Sequence, residues 1–170
     1  MKIFDVSIKA RCSKDCSKIL RMKIIARQFN NFFVAMKIQD RVFHSKFTVR
    51  YSETDRMGYL YYGHYAAYFE VARVEALREL GIVYKDLEDE GILLPVRTFN
   101  IHYKVPAHYD DVVQIQTRIK QFSGTRILFA FESYRDETLL NTAEVELVFV
   151  DKTTGRPCKA PQHIAELFEN

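Results

Sequence analysis

The chain has 170 residues, of which 48% are hydrophobic and 14% aromatic. This length and composition suffice for one domain with a sizeable core, and they exclude an intrinsically disordered protein. The net charge of +3 comes from residues 1–36, which carry eight basic and two acidic residues, whereas residues 37–170 carry 17 basic and 20 acidic residues. The main part of the chain therefore lacks the basic surface that tracks nucleic-acid phosphates. The sequence contains no uninterrupted run of about 18 apolar residues, so no membrane span is predicted.

Residues 1–36 differ in character from the rest of the chain and form a basic leader. Basic residues interrupt its apolar residues throughout, which disfavours a secretory signal. Three interpretations stay open: an over-extended reading frame whose true start is Met36 or Met22, an amphipathic transit or membrane-surface segment, and an extra helix packed on the domain. We favour the over-extended reading frame, and we assign the predicted domain to residues 37–170.

The chain contains three cysteines, Cys12, Cys16 and Cys158. They cannot all pair within one chain and two lie in the leader, so no disulfide framework is expected. This favours a reducing compartment, and we expect a cytoplasmic protein. The spacing of Cys12 and Cys16 occurs in some metal sites, but no further ligands lie nearby in the sequence, so no zinc site is predicted.

A strand followed by one long helix is predicted at the start of the domain. Apolar and polar residues alternate in the segment 43–51, which is typical of a half-buried strand. From Gly63 to Leu80 apolar residues recur at the three- and four-residue steps of a helix that buries one stripe. The residues of this stripe are Tyr65, Tyr68, Phe69, Ala72, Ala76 and Leu80.

The two ends of this helix differ in a way that bears on function. Gly81 follows the last helical residue and provides an ordinary stop signal. The start, around Tyr62 and Gly63, offers no Ser, Thr, Asp or Asn at the cap position, so the first backbone N–H groups lack a side-chain acceptor. An uncapped, positively polarised helix end can bind an oxyanion. Asp55 lies seven residues before Tyr62, across a loop that contains Gly58, so a carboxylate and free N–H donors are expected to face the same small volume.

The sequence after this helix predicts a short helix and four long strands. The helix extends over Tyr84–Glu90, and the strands extend over Leu93–Val105, Val112–Phe122, Arg126–Arg135 and Leu139–Asp151. Tight turns connect the last three strands as an antiparallel meander. Together with the first strand, they predict an α+β fold in which a five-stranded antiparallel sheet wraps around one long central helix. The third of these four strands is apolar on both faces, so we expect at least a dimer.

The segment 47–73 carries a composite of motifs: the strand ending VRYSETD, the following glycine at Gly58, the aromatic pair Tyr61 and Tyr62, and the helix text YFEVAR. This composite closely resembles the hotdog-fold acyl-CoA thioesterases. The matching branch contains the 4-hydroxybenzoyl-CoA thioesterases and the short-chain acyl-CoA thioesterases of the Tol-Pal gene neighbourhood. A weaker likeness extends to about Pro161 through the strand order and the DKTTGRP turn, and it does not cover the leader. The resemblance implies a hotdog fold and thioester hydrolysis without a metal or organic cofactor.

The resemblance also assigns roles to the loop and the helix start. Asp55 corresponds to the family's catalytic carboxylate, which acts as nucleophile or general base on the thioester. The Tyr62 N–H, together with Gly63, corresponds to the backbone donors that polarise the thioester carbonyl. The chemistry agrees with these roles, because a thioester carbonyl needs an electrophilic clamp and an attacking carboxylate or water.

Four further residues are candidate substrate contacts. Tyr59 and His64 lie near the helix start and are candidate pocket walls, and His64 is also a candidate for proton transfer. Lys104 and Arg126 are candidate partners of the coenzyme A phosphates. Relatives of the Tol-Pal kind often carry histidine at the position of Tyr62, whereas relatives with the benzoyl substrate carry tyrosine there. This departure bears on the subtype more than on the activity.

Structural roles compete with these functional ones. An aspartate before a glycine-containing loop is most often a turn-forming residue that bonds its own backbone, but the preceding strand and the uncapped helix favour catalysis for Asp55. We interpret Glu53 as a solvated or loop-bonding acid and His102 as an interfacial or surface histidine.

Two classes of function stay open. The first is an acyl-CoA thioesterase that forms a homo-oligomer, either a dimer or a tetramer. The alternative is an acyl-carrier-protein thioesterase or a non-catalytic hotdog acyl-binding protein. A hotdog dehydratase is disfavoured, because the sequence lacks the histidine-centred motif that such enzymes usually carry.

Overall fold

The computed structural model describes residues 37–169, so the expectations for the leader at residues 1–36 lie outside the described residues. The strands are β1 (Phe43–Thr48), β2 (Ile92–Leu93), β3 (Val96–Tyr103), β4 (Val112–Phe122), β5 (Arg126–Arg135), β6 (Thr138–Val148) and β7 (Val150–Asp151). The helices are α1 (His64–Glu79), α2 (Tyr84–Asp89) and α3 (Gln162–Glu169). Among these helices none is long and apolar enough to cross a membrane.

The main sheet has five strands in the order β1-β4-β5-β6-β3, and every neighbouring pair is antiparallel. The meander of β4, β5 and β6 lies in its middle, with β1 and β3 at the two edges. Inward residues of the three central strands are fully or almost fully buried in alternation. The predicted α+β class and the five-stranded antiparallel sheet are confirmed.

Helix α1 packs across the inner face of this sheet. Its buried residues follow the predicted three- and four-residue steps: Tyr65, Tyr68, Phe69, Ala72, Arg73, Ala76 and Leu77. The Phe69 ring lies 4.6 Å from the Phe131 ring on β5. The Tyr68 ring stacks on the ring of Phe47 in β1, also at 4.6 Å. Each fully buried aromatic side chain contributes about 2 kcal/mol to this packing. The sheet therefore wraps around one central helix, which is the hotdog arrangement.

The C-terminal end of α1 closes as the sequence predicts. Gly81 adopts a φ of +83°, a left-handed conformation that favours glycine. Its N–H donates to the Arg78 carbonyl at 2.9 Å, and the N–H of Ile82 donates to the Leu77 carbonyl at 2.9 Å. The last carbonyls of the helix thus find donors, and the chain reverses into α2.

Two predicted strands are each divided in the structure. The segment Leu93–Val105 forms the end of β2 and then β3, because Pro95 has no N–H and cannot continue a hydrogen-bonded ladder. The segment Leu139–Asp151 forms most of β6 and then β7. The two short pieces pair with each other, with Ile92 opposite Asp151, in a separate two-stranded sheet.

Within the main sheet, β3 carries exposed large apolar side chains and β5 does not. The outward residues Leu128 and Ala130 of β5 are half-buried. Ala130 lies between Arg118 and Glu144 of the neighbouring strands, and these two charged residues line the same outer groove as Ala130. Strand β3, by contrast, is an edge strand that pairs only with β6 among the described residues, and it carries exposed apolar side chains. These side chains are Val96, Phe99 and Tyr103, which are 50%, 38% and 48% exposed.

Candidate active site

The candidate active site begins in a narrow loop between β1 and α1. Thr54 and Leu60 pair as an antiparallel bridge at its base. The Asp55 N–H donates to the Tyr59 carbonyl at 2.8 Å, and the Gly58 N–H donates to the Asp55 carbonyl at 2.9 Å. Gly58 has a φ of +78°, which a side chain disfavours. The loop is therefore a tight turn whose first residue is Asp55.

The Asp55 carboxylate helps to form this turn. Its Oδ1 accepts the N–H of Met57 at 2.8 Å and, at a longer 3.4 Å, the N–H of Tyr59. Asp55 is half-buried, and no donor in residues 37–169 hydrogen-bonds to its Oδ2. The turn-forming role and a functional role are thus compatible, because one carboxylate oxygen fixes the orientation of the other.

The start of α1 follows directly and is uncapped, as predicted. Gly63 occupies the N-cap position with φ of −68° and receives no side-chain cap. Within residues 37–169, neither the Tyr62 N–H nor the Gly63 N–H donates a hydrogen bond. The Tyr61 carbonyl accepts the His64 N–H at 2.9 Å, which tightens the turn into the helix. Two backbone donors at the positive end of the helix dipole therefore lack an acceptor within residues 37–169.

Aromatic rings surround this helix start. A β-carbon on Gly63 would lie 2.7 Å from Cε1 of the Tyr61 ring, so glycine permits the close approach of that ring. The Tyr61 ring also lies 4.5 Å from the Tyr62 ring and 5.8 Å from the half-buried His64 ring. His64 thus lies beside the two free amides, whereas Tyr59 lies across the Asp55 loop with its ring 5.3 Å from the His108 ring.

A groove of about 390 Å³ starts at Gly63 and follows α1 beside β3. Small and apolar side chains form most of its walls, with two charged residues in the middle of the helix. Its lining residues are Gly63, Ala66, Ala67, Phe69, Glu70, Arg73, Val96, Phe99 and Val145. Arg73 is buried and its guanidinium donates to the Tyr84 hydroxyl. This groove is of the size that accommodates small ligands.

A buried acid fixes the base of the loop. Glu53 accepts hydrogen bonds from the Arg50 N–H at 2.9 Å, from the Arg50 guanidinium at 2.6 and 3.0 Å, and from the Tyr68 hydroxyl at 2.6 Å. Burial alone raises the pKa of Glu53, but these hydrogen bonds outweigh it and lower the pKa to about 2. Its own carbonyl accepts the Tyr61 N–H at 2.8 Å. Glu53 is therefore the loop-bonding acid of the two predicted alternatives.

Two residues that lie next to the site, Tyr103 and Asp111, were not identified from the sequence. The Tyr103 hydroxyl on β3 donates to the Tyr62 carbonyl at 3.0 Å. Asp111 accepts the His108 N–H at 2.8 Å and the Arg135 guanidinium at 2.6 Å. Burial raises the pKa of Asp111, but these donors outweigh it and hold the pKa below its usual range. The aspartates in the text AHYDD were the available signal for that turn.

Lys104 and Arg126 lie at opposite ends of the sheet. Lys104 follows Tyr103, and its N–H donates to the Leu140 carbonyl at 2.8 Å, so it lies at the same end of β3 as the helix start. Arg126 lies opposite Val148 at the far end of β6 and contacts Glu146 at 3.7 Å. One protomer therefore brings Asp55, Tyr59, Tyr62, Gly63, His64 and Lys104 to one end of the molecule and leaves Arg126 at the other.

His102 lies on the outer face of the sheet, away from the loop and the helix start. It is exposed and lines a second groove of about 390 Å³ together with Arg118, Glu132 and Glu144. The Arg118 guanidinium contacts the Glu132 carboxylate at 3.3 Å across this groove. Its exposure in one protomer agrees with the expectation of an interfacial or surface histidine.

Comparisons with known proteins agree on the family. The sequence profile of the thioesterase-like superfamily matches residues 49–168. The acyl-CoA thioester hydrolase YbgC of Escherichia coli O6:H1 is 37% identical over 122 residues, which cover 71% of this chain and 91% of that protein. The acyl-CoA thioesterase YbgC of Haemophilus influenzae is 31% identical over 132 residues, which cover 77% and 97% of the two chains.

A solved structure gives the same result at the level of the fold. The DHNA-CoA thioesterase from Staphylococcus aureus superimposes with a TM-score of 0.71 at 32% identity, over 75% of this chain and 87% of that one. The profile match extends from the residue after β1 into α3. This chain belongs to the thioesterase-like superfamily.

Proposed function

We propose that this protein hydrolyses an acyl-CoA thioester to a free acid and coenzyme A. Similar proteins from Escherichia coli and Haemophilus influenzae bear the names acyl-CoA thioester hydrolase and acyl-CoA thioesterase. The observation that carries the proposal for this chain is local. A half-buried carboxylate, Asp55, is oriented through one oxygen in the loop that leads directly into an uncapped helix start.

The proposed chemistry uses these two features on one carbonyl group. The Oδ2 atom of Asp55 attacks the thioester carbon or removes a proton from an attacking water. The N–H groups of Tyr62 and Gly63 stabilise the negative charge that develops on the carbonyl oxygen, and each such donor can contribute about 3 kcal/mol to the transition state. The C–S bond then breaks, and the coenzyme A sulfur leaves as a thiolate that takes up a proton. If Asp55 is the nucleophile, the acyl group is left on it as a mixed anhydride, and water hydrolyses this anhydride to the free acid and the Asp55 carboxylate.

The surroundings suggest where the two halves of the substrate bind. The groove that begins at Gly63 is the proposed acyl site, because it starts at the free amides and is mostly apolar. Tyr59 and His64 are the proposed walls near the reacting carbonyl. Lys104 lies at the same end and is a proposed phosphate contact, whereas Arg126 requires a second protomer to reach the same substrate.

We also propose that the protein forms a homo-oligomer. β3 presents an open edge among the described residues, and both of its faces are exposed. An exposed edge strand with apolar side chains favours pairing with another chain. Whether the assembly is a dimer or a tetramer, and whether it is cytoplasmic, stay predictions.

Thiol release from a panel of acyl-CoA and acyl-carrier-protein substrates tests the function. We expect hydrolysis of acyl-CoA by the wild type and a loss of at least about 100-fold in kcat for Asp55→Asn, because the nucleophile or base is removed while its shape is kept. Asp110→Asn is the matched control, since Asp110 is exposed on a nearby loop, and it should retain full activity. Turnover by Asp55→Asn at the wild-type rate would refute the mechanism. Hydrolysis of acyl-carrier substrates alone would favour the first alternative, and binding without hydrolysis would favour the second.

A further inference from the structure

The peptide unit between Tyr62 and Gly63 is held by one hydrogen bond among the described residues. The Tyr103 hydroxyl donates to its carbonyl oxygen at 3.0 Å. No other donor in residues 37–169 hydrogen-bonds to that oxygen, and the N–H on the other side of the unit, that of Gly63, finds no acceptor there. The preceding peptide unit is fixed differently, because the Tyr61 carbonyl accepts the His64 N–H. The orientation of the Gly63 N–H therefore depends on a side chain from the distant strand β3.

Glycine makes this dependence important. A residue without a β-carbon can rotate through backbone conformations that other residues avoid, so the unit before Gly63 can turn about its long axis at little steric cost. The carbonyl and the N–H of a planar trans peptide point in opposite directions. A hydrogen bond that fixes the Tyr62 carbonyl consequently fixes the direction of the Gly63 N–H as well. It also polarises the unit and strengthens that N–H as a donor.

Tyr103 is itself well placed to do this. It lies opposite Asn141 in the ladder between β3 and β6, and its ring packs at 5.7 Å against the ring of Tyr65, a buried residue in the first turn of α1. Burial, followed by the neighbouring Tyr62, raises the pKa of Tyr103, so the hydroxyl stays protonated and able to donate at neutral pH. The donor is thus anchored to the sheet and to the helix at once.

We infer that Tyr103 is a positioning residue, whose hydroxyl holds the Tyr62–Gly63 peptide with its N–H directed at the developing oxyanion. This inference rests on the proposed function, and it makes the oxyanion site depend on a side chain of β3. It predicts that loss of the hydroxyl lowers the rate of the chemical step more than the affinity for substrate, because the oxyanion forms only as the reaction proceeds.

The kinetic test is Tyr103→Phe, with Tyr134→Phe as the matched control. Tyr134 is also a strand tyrosine, and its hydroxyl also makes one hydrogen bond, to Glu132 at 3.1 Å, but on β5. We expect kcat of Tyr103→Phe to fall about tenfold, less than the direct loss of an oxyanion donor, with KM changed by less than about twofold. Tyr134→Phe should keep wild-type values of both. Equal kcat values for wild type and Tyr103→Phe, or equal losses in both variants, would overturn the inference.

A spectroscopic measurement separates this role from the proposed function. The chain has six glycines, so glycine-selective ¹⁵N labelling gives a simple spectrum in which the Gly63 amide can be assigned. We expect that amide to shift in Tyr103→Phe and to stay in place in Tyr134→Phe. An unmoved Gly63 amide overturns the inference alone. If the wild type releases no thiol from any acyl-CoA, the proposed function and the inference on Tyr103 both fail. In that case the wild type, Tyr103→Phe and Tyr134→Phe are all inactive.

Discussion

Glu53→Gln tests how the loop that carries Asp55 is held to the core. The Glu53 carboxylate accepts four hydrogen bonds, and its pKa falls from 4.5 to about 2. At about 1.4 kcal/mol per pKa unit, this shift corresponds to at most about 3.5 kcal/mol of folding free energy. The Arg50 side chain is 76% exposed, so solvent screens its share, and we expect a loss of about 2 kcal/mol.

The stabilisation of the fold by Glu53 should decrease as the pH falls. The folded pKa of Glu53 lies below its ordinary value of 4.5, so the stabilisation is complete above about pH 4.5 and is lost as the pH falls towards 2. Urea unfolding at fixed protein concentration should therefore show a large difference between wild type and Glu53→Gln at pH 7 and a smaller one at pH 3. Glu137→Gln, an exposed acid in the turn after β5, is the control. A difference that is equal at both pH values, or absent at pH 7, would refute the reasoning.

Two further predictions concern the loop and the edge strand. Gly58→Ala should destabilise the fold by about 1–2 kcal/mol and lower kcat/KM, since φ of +78° is unfavourable for alanine although the space around it is open. Gly155→Ala, at φ of +66° and equally open, should cost similar stability in thermal melts yet keep wild-type turnover, and equal turnover in both variants would contradict the role of the loop. Phe99→Glu places a charge at the open edge of β3, on the side that also lines the groove beside α1, and should shift the protein towards the monomer in light scattering coupled to gel filtration. Tyr51→Glu, at a side chain 80% exposed outside β3, should not change the oligomeric state, and an unchanged mass for Phe99→Glu would argue against assembly through this edge.

The sequence was most informative where structure is local. Residues Val112–Phe122 and Arg126–Arg135 form strands with the predicted bounds, because period-two alternation and flanking turn residues act within a few positions. The uncapped start of α1 was also visible, since an N-cap depends on one or two neighbouring residues. The break at Pro95 was equally local, and it was missed because apolar residues continue on both sides of it.

The parts of the site that depend on distant residues were not predictable. Tyr103 and Tyr62 are 41 residues apart, and only the packing of α1 on β3 brings them together. Asp111 and Arg135 are 24 residues apart and meet where β4 begins and β5 ends. Such contacts require the register of the sheet, which turn residues constrain only between consecutive strands. The same reason explains why exposed apolar surface was expected on β5, whose outward residues Leu128 and Ala130 are in fact half-buried and lie opposite polar residues of the neighbouring strands.

The most direct measurement is a crystal structure of Asp55→Asn with an intact acyl-CoA, which the variant should bind without cleaving. We predict that the thioester oxygen lies about 3 Å from the N–H groups of Tyr62 and Gly63, with the side chain at position 55 facing the carbonyl carbon. A thioester bound elsewhere in the molecule, or one whose oxygen is turned away from both amides, would contradict it.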